Sequence, residues 1–273
     1  MMPISTAAIR RHYDRLSIFY RVFWGEHIHH GLWRNGESPH AAQLTLVREL
    51  ATRAGIQRGA KVLDVGCGLG ASAIWLAQQL DCSVTGITIS PVQKWLAQER
   101  AKSVELQGRV RFQVGDANNL PFTAAEFDAV WVIECSEHLF DKQQFLYDCA
   151  RVLRSSGVLA MCSWLQGEIC SVDNRELISE ICSGMLCPSL ATFADYRSWI
   201  RESGFNLMHA EEISSRVMKT WQHCLQILER PIVRACLPFL GWRTRQFTGE
   251  FGTMERAYAI GALRYGMFAA RKR

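Results

Sequence analysis

The sequence predicts an α/β protein built on a doubly wound, largely parallel sheet. Three observations predict it. From Lys61 to Leu165, short β-favouring runs alternate with helix-like segments, which is the pattern of βαβ units. The strands are nearly continuous apolar runs, as strands covered on both faces are. The first strand ends in Asp64-Val65-Gly66-Cys67-Gly68-Leu69-Gly70, a tight glycine turn leading straight into a helix. Right-handed crossovers make the doubly wound arrangement the default. Ligands in such sheets bind beyond the carboxyl ends of the strands.

The elements follow in order. Residues 1–40 begin with a helical pattern and run into Trp24-Gly25-Glu26-His27-Ile28-His29-His30-Gly31. This segment reads as a lid. Within the core, 41–165, strands are expected at Lys61–Val65, Ser83–Thr88, Val110–Val114, Asp128–Ile133 and Val158–Trp164. Helices are expected at Ala71–Leu80, Pro91–Gln107 and Lys142–Leu153. Residues 166–252 mix helical patterns with Pro188, Pro231 and Pro238, which interrupt helices, and read as an inserted cap. Residues 253–273 supply a last helix and strand, strand-like at Tyr265–Ala270.

Composition narrows the class. With 273 residues, 48% hydrophobic and 21% charged, the chain suits one well-buried domain with a subdomain and excludes general disorder. Its ten cysteines form no Cys-x-x-Cys pair, and Met1–Arg15 has no signal-peptide core. Free thiols in a reducing, cytoplasmic setting are expected, with no metal site. No apolar run reaches the roughly 18–20 residues of a membrane span. The net charge of +5 divides into +2 over residues 1–40, −5 over 41–215 and +8 over 216–273. The basic part is interleaved with Trp221, Leu225, Trp242 and Phe247. It is either a face for an anionic membrane surface or acidic ligand, or a solvated basic face. No nucleic-acid recognition module is visible.

The chemistry lies at the predicted strand ends. Gly66-x-Gly68-x-Gly70 is neither the dinucleotide spacing nor a Walker loop. An acid before these glycines suits a cofactor with an ammonium group and an adenosine but no phosphate, such as S-adenosylmethionine (SAM). The second strand ends at Thr88 without the acid that dinucleotide folds place there. Thr88 and Gln93 can still bond a ribose diol. Gly115-Asp116-Ala117-Asn118 follows the third strand, where a carboxylate can accept from an adenine amino group. Glu134-Cys135-Ser136-Glu137-His138 follows the fourth and offers proton acceptors near neutral pH. Asp141 also suits a helix cap.

Together these loops, with Gly86-Ile87-Thr88-Ile89-Ser90-Pro91-Val92-Gln93 and Trp24–Gly31, resemble class I SAM-dependent methyltransferases, which have a Rossmann-like sheet. The chain looks most like the γ-tocopherol C-methyltransferase group and its indole-alkaloid N-methyltransferase relatives. The resemblance implies that Asp64, Gly66, Gly68 and Gly70 hold the methionine end of SAM. Thr88 and Gln93 would hold the ribose, and Asp116 and Ala117 the adenine. Tyr13 and the Trp24–Gly31 segment would close over the cofactor, with Glu134 in the same set. Trp24, His27, His30 and Trp221 are the expected acceptor contacts.

His138 is the first expected catalytic base and Glu137 the second. His27, His29 and His30 read as lid residues rather than metal ligands. The expected acceptor is a hydrophobic aromatic or isoprenoid small molecule, methylated on carbon. An indole or amine nitrogen is the runner-up. A SAM-binding protein without methyl transfer, and a lipid-modifying enzyme of the cyclopropane type, belong to other classes and stay open.

Overall fold

Helix α1 (Thr6–Phe23) and helix α2 (Pro39–Ala54) precede the sheet. The parallel part then alternates β1 (Lys61–Val65), α3 (Ala71–Leu80), β2 (Ser83–Thr88), α4 (Pro91–Ser103), β3 (Val110–Val114), β4 (Phe127–Ile133), α5 (Lys142–Val152) and β5 (Leu153–Gln166). Helices α6 (Val172–Gly184) and α7 (Phe193–Glu202) lead to β6 (Phe205–Glu212). Helices α8 (Ser214–Val217), α9 (Lys219–Glu229), α10 (Pro231–Cys236) and α11 (Trp242–Ala259) lead to β7 (Leu263–Lys272). This computed structural model describes residues 4–168 and 171–273, apart from the side chains of Leu240, Trp242 and Arg243.

The seven strands form one sheet in the order β3-β2-β1-β4-β5-β7-β6. Strands β1 to β5 are parallel, and β7 runs antiparallel to both β5 and β6. The order reverses between β1 and β4, so a crevice opens beyond their carboxyl ends. Alternate residues of each strand enter opposite layers. Val62 and Trp131 join Leu46, Val47 and Leu50 of α2, whereas Leu63, Val65, Val130 and Val132 join Phe145 and Leu146 of α5. That double burial is why the strands read as unbroken apolar runs.

The structure departs from expectation in the second half. The region 166–252 is not one continuous insert, because β6 lies inside it and forms the sheet edge. Its Phe205-Asn206-Leu207-Met208-His209-Ala210-Glu211-Glu212 is half polar and only partly buried, as an edge strand is, so no apolar run announced it. The last helix begins at Trp242 rather than 253. Strand β5 starts five residues early, and α4 stops at Ser103 rather than Gln107. Asp141 is the cap of α5, its Oδ1 accepting from Gln144 N at 2.8 Å. Among the described residues no helix is long and apolar enough to cross a membrane.

Candidate active site

Three adjoining cavities lie at the switch point. The first, about 710 Å³, runs along the ends of β1, β2, β3 and β4 under α1. It is lined by Tyr13, Gly66, Gly68, Thr88, Gln93, Asp116, Ala117, Glu134 and His138, with Thr6, Ile9 and Ile28 from the N-terminal segment. The second, about 340 Å³, continues past Gly66 and Gly68 to Asp64, His27 and His29. The third, about 530 Å³, lies under α9 and α11 and is lined by Tyr20, Trp24, His30, Glu137, Trp164, Met185, Trp221 and Phe247. Tyr13, Ile28, Glu134 and His138 line both the first and the third.

The first two cavities make a cradle for a nucleoside joined to an amino acid. Gly66 has φ +73°, and a Cβ there would lie 2.6 Å from the Cys135 side chain. Only glycine holds this turn at low cost. Asp64 is buried, and its Oδ2 has no partner. Burial pushes its pKa up to about 7, against the backbone N–H of Ala73, which favours the carboxylate. A buried carboxyl with an orphaned oxygen is costly alone and suits a cationic ligand group. At the other end, Thr88 Oγ1 donates to Gln93 Oε1 at 2.7 Å, a neutral pair on the wall of the first cavity. Asp116 Oδ1 accepts from the backbone and side chain of Asn118. These groups fit SAM.

Glu134 ties the cavities together. It is the last residue before the β4 turn, at φ +53°. Its Oε1 accepts from His30 N at 2.7 Å, His30 Nδ1 at 2.9 Å and Tyr265 Oη on β7 at 2.8 Å. Burial alone would raise its pKa, yet His30 and His29 hold it down at about 2. Trp221 Nε1 on α9 donates to His30 Nε2 at 2.8 Å. The indole nitrogen can only donate, so His30 Nε2 accepts from Trp221 while Nδ1 faces Glu134. Trp221, His30 and Glu134 thus form one buried chain from α9 to β4.

His138 has a defined tautomer. Its Nδ1 bonds the Leu186 carbonyl at 3.0 Å, so Nδ1 carries the proton. Nε2 therefore accepts from Tyr13 Oη, 2.8 Å away on α1. Burial lowers the pKa of His138, although the Leu186 carbonyl opposes this. At neutral pH the ring is uncharged, with its basic nitrogen turned to the junction of the first and third cavities.

Two expected site residues lie elsewhere. Gly70 lines none of the three cavities. It has φ +75° at the start of α3, where a Cβ would lie 2.5 Å from Phe112 Cζ, so its role is packing. His27, expected as an acceptor contact, lines the second cavity and not the third. It bonds His29 at 3.0 Å, and His29 in turn bonds the His30 carbonyl at 2.7 Å. His27 and His29 thus form a hydrogen-bonded chain that ends on the His30 backbone. Conversely, Tyr20, Trp164, Met185 and Phe247 line the third cavity unforeseen. Each comes from a different element and reads as ordinary core in sequence. The side chain of Trp242, from the basic C-terminal part, lies outside the described residues.

Residues 63–161 match the family of the methyltransferase domain. The chain is 30% identical over 276 residues to the probable chloroplastic tocopherol O-methyltransferase of Oryza sativa subsp. japonica, covering 95% of this chain and 76% of that protein. It is 32% identical over 225 residues to the 27-O-demethylrifamycin SV methyltransferase of Amycolatopsis mediterranei, covering 81% and 82%. In fold it is similar to the [4+2]-cyclase SpnF, with a TM-score of 0.86, 24% identity and coverage of 99% and 97%. A sheet with a reversed strand order, a glycine cradle beneath its switch point and relatives that match through the N-terminal segment and cap lead to one assignment: the chain belongs to the class I SAM-dependent methyltransferases.

Proposed function

We propose that this enzyme methylates a bulky, largely apolar natural-product molecule, aromatic or isoprenoid, that carries a hydroxyl group. The observation that carries the reading is the Tyr13–His138 pair at the junction of the cofactor and aromatic cavities.

Asp64 receives the ammonium of SAM, with Gly66 and Gly68 allowing the methionine chain to pass close to the backbone. Gln93 and Thr88 take the ribose, and Asp116 and Ala117 the adenine edge. SAM supplies a methyl group on a sulfonium, already activated towards a nucleophile. The remaining task is positioning, which can supply roughly 7–11 kcal/mol of a barrier. Tyr20, Trp24, Trp164, Trp221 and Phe247 present an apolar wall, and aromatic rings on all sides suit a large flat or branched acceptor. The acceptor hydroxyl replaces Tyr13 at His138 Nε2 or hands its proton on through Tyr13 Oη. His138 takes the proton, and its imidazolium is steadied by the Leu186 carbonyl at Nδ1.

The place of that base supports one site of methylation. Tyr13 and His138 line both cavities, so the atom losing its proton is at the transfer point. This favours the hydroxyl oxygen over the ring carbon expected from sequence, in keeping with the relative named for a 27-O-demethyl molecule.

The test is methyl transfer from labelled SAM to a panel of prenylated phenols, hydroxylated macrolactones and indole alkaloids, read by NMR of the product. Label on oxygen supports the proposal. Label on a ring carbon beside a hydroxyl keeps the base and moves the bond. Label on nitrogen with undiminished turnover in His138→Ala removes the base assignment.

A further inference from the structure

Glu137 is a buried carboxyl that the mechanism leaves unused. It lines the acceptor cavity but not the cofactor cavity. Its two oxygens are treated unequally. Oε1 accepts from Trp164 N at 2.5 Å and from Ser163 Oγ at 3.1 Å. Behind Ser163 runs a file of buried hydroxyls. Tyr196 Oη donates to Ser136 Oγ at 2.8 Å, and Ser136 and Ser163 are 2.8 Å apart. Each hydroxyl has one proton. Ser163 Oγ, with its one proton, stands 3.1 Å from both Glu137 Oε1 and the Trp164 carbonyl, so the short bond from Trp164 N is the one that fixes Oε1. Oε2 is buried with no partner.

We propose that Glu137 is a specificity-determining residue whose Oε2 offers a hydrogen-bond donor to a carbonyl oxygen of the acceptor. The acceptor then belongs to a narrower class, a hydroxylated apolar molecule that also bears a ketone, ester or quinone carbonyl.

Three further facts point the same way. An oxygen that accepts a backbone N–H at 2.5 Å is a poor place for the acid's proton, so the proton sits on Oε2. Burial, with the nearby charge of Glu134, pushes the pKa of Glu137 up to about 8, which keeps the acid form at neutral pH. No cation bonds it among the described residues. Lys142 Nζ is directed to the Leu139 carbonyl at 2.8 Å and Ser189 Oγ at 3.1 Å. Glu134 is ionised and lines both cavities, so it is the carboxylate that answers the sulfonium's charge.

This inference rests on the third cavity being the acceptor site, and the experiment separates the two. The probes are 6-acetyl-2-naphthol and 6-ethyl-2-naphthol, which differ by a carbonyl against a methylene. Binding of each is measured to the whole protein saturated with S-adenosylhomocysteine. A neutral hydrogen bond gives the ketone roughly a tenfold tighter Kd. Glu137→Gln keeps that preference, because its amide still accepts on the β5 side and donates into the cavity. Glu137→Met abolishes it. Equal binding of the two probes to the wild type, or of neither, overturns the proposal. So does loss of the preference in Glu137→Gln, which would mark a carboxylate role. Met185→Trp fills the cavity without touching Glu137's partners. If it weakens both probes while the preference is absent, the Glu137 proposal alone fails. If it leaves both unchanged, the probes bind elsewhere and the acceptor-site reading fails with it. An infrared carboxylic-acid band that is present at neutral pH and lost in Glu137→Gln is the independent check, and its absence also overturns the proposal.

Discussion

The cofactor cavity and the acceptor cavity share four residues and differ in how they are built. The first is assembled from turns at the ends of neighbouring parallel strands, and each turn carries its own short signature. The second is assembled from side chains of α1 and the following Trp24–His30 segment, the turn after β4, β5, the loop after α6, α9 and α11, spread over most of the chain. The first depends on backbone geometry at a few glycines, the second on side-chain volume. A loop site of the first kind can hold its ligand while the chemistry beside it changes. A packed site of the second kind can change its occupant by exchanging an aromatic residue.

If the cavities divide the work this way, substitutions should separate their functions. The largest effect is expected at the junction. His138→Ala should lower kcat by about 10²–10⁴-fold with the Kd for SAM unchanged by isothermal titration. A parallel loss of SAM binding would show that the junction belongs to the cofactor site.

Asp64→Asn should act on the cofactor side alone, and in two directions. Its folded pKa of about 7 lies above the unfolded value of roughly 3.9. Between these values the folded protein binds the extra proton, so cofactor-free wild type loses stability as pH rises from about 4 to about 7. The Asn variant lacks that loss. It should equal wild type in denaturant melts near pH 4 and exceed it at pH 8, by on the order of 2–4 kcal/mol. SAM affinity should fall in the same variant. A variant less stable than wild type at pH 8 would refute the buried, orphaned carboxyl.

Glu134→Gln should break the separation, because Glu134 serves both cavities. Losing a charged acceptor of three hydrogen bonds costs about 1.5–3 kcal/mol, so SAM and acceptor affinities should each fall roughly 10–100-fold. An effect on one ligand only would assign Glu134 to that cavity. The smallest effect is expected at Ser90, which caps α4 and donates to Asp14 Oδ1 on α1 at 2.6 Å. Ser90→Ala should cost about 1 kcal/mol of cap and loosen α1, weakening SAM binding a few-fold with acceptor binding nearly intact.

The same difference explains what could be read in advance. The bounds of β1, β2, β3 and α3 follow from apolar runs closed by glycine or acid. Gly66, Gly68, Thr88, Gln93, Asp116 and Ala117 follow from standing where those runs end. Gly70 was placed with them because spacing cannot tell a turn that faces a ligand from one that packs on Phe112. Met185 and Trp164 carried no signal, since an apolar residue against a ligand looks like one against the core. His27 and His30 are three residues apart in one segment, yet only the tertiary partners Trp221 and Glu134 decide that His30 alone reaches the acceptor side. Strand β6 was hidden by its charged, half-exposed edge.

The position of β7 has a further cost, one of timing. It follows β6 in sequence but lies between β5 and β6 in the sheet. A nascent chain that has completed β5 therefore carries an exposed strand edge until residues 263–272 emerge, and β6 has no partner in the meantime. Open edges of this kind invite pairing with other chains. Tyr265, which bonds Glu134, comes with the same late strand, so the joint between the two cavities cannot set until the sheet is filled. Slow translation or a shortage of chaperone over this stretch should show first as aggregated protein rather than as weak catalysis.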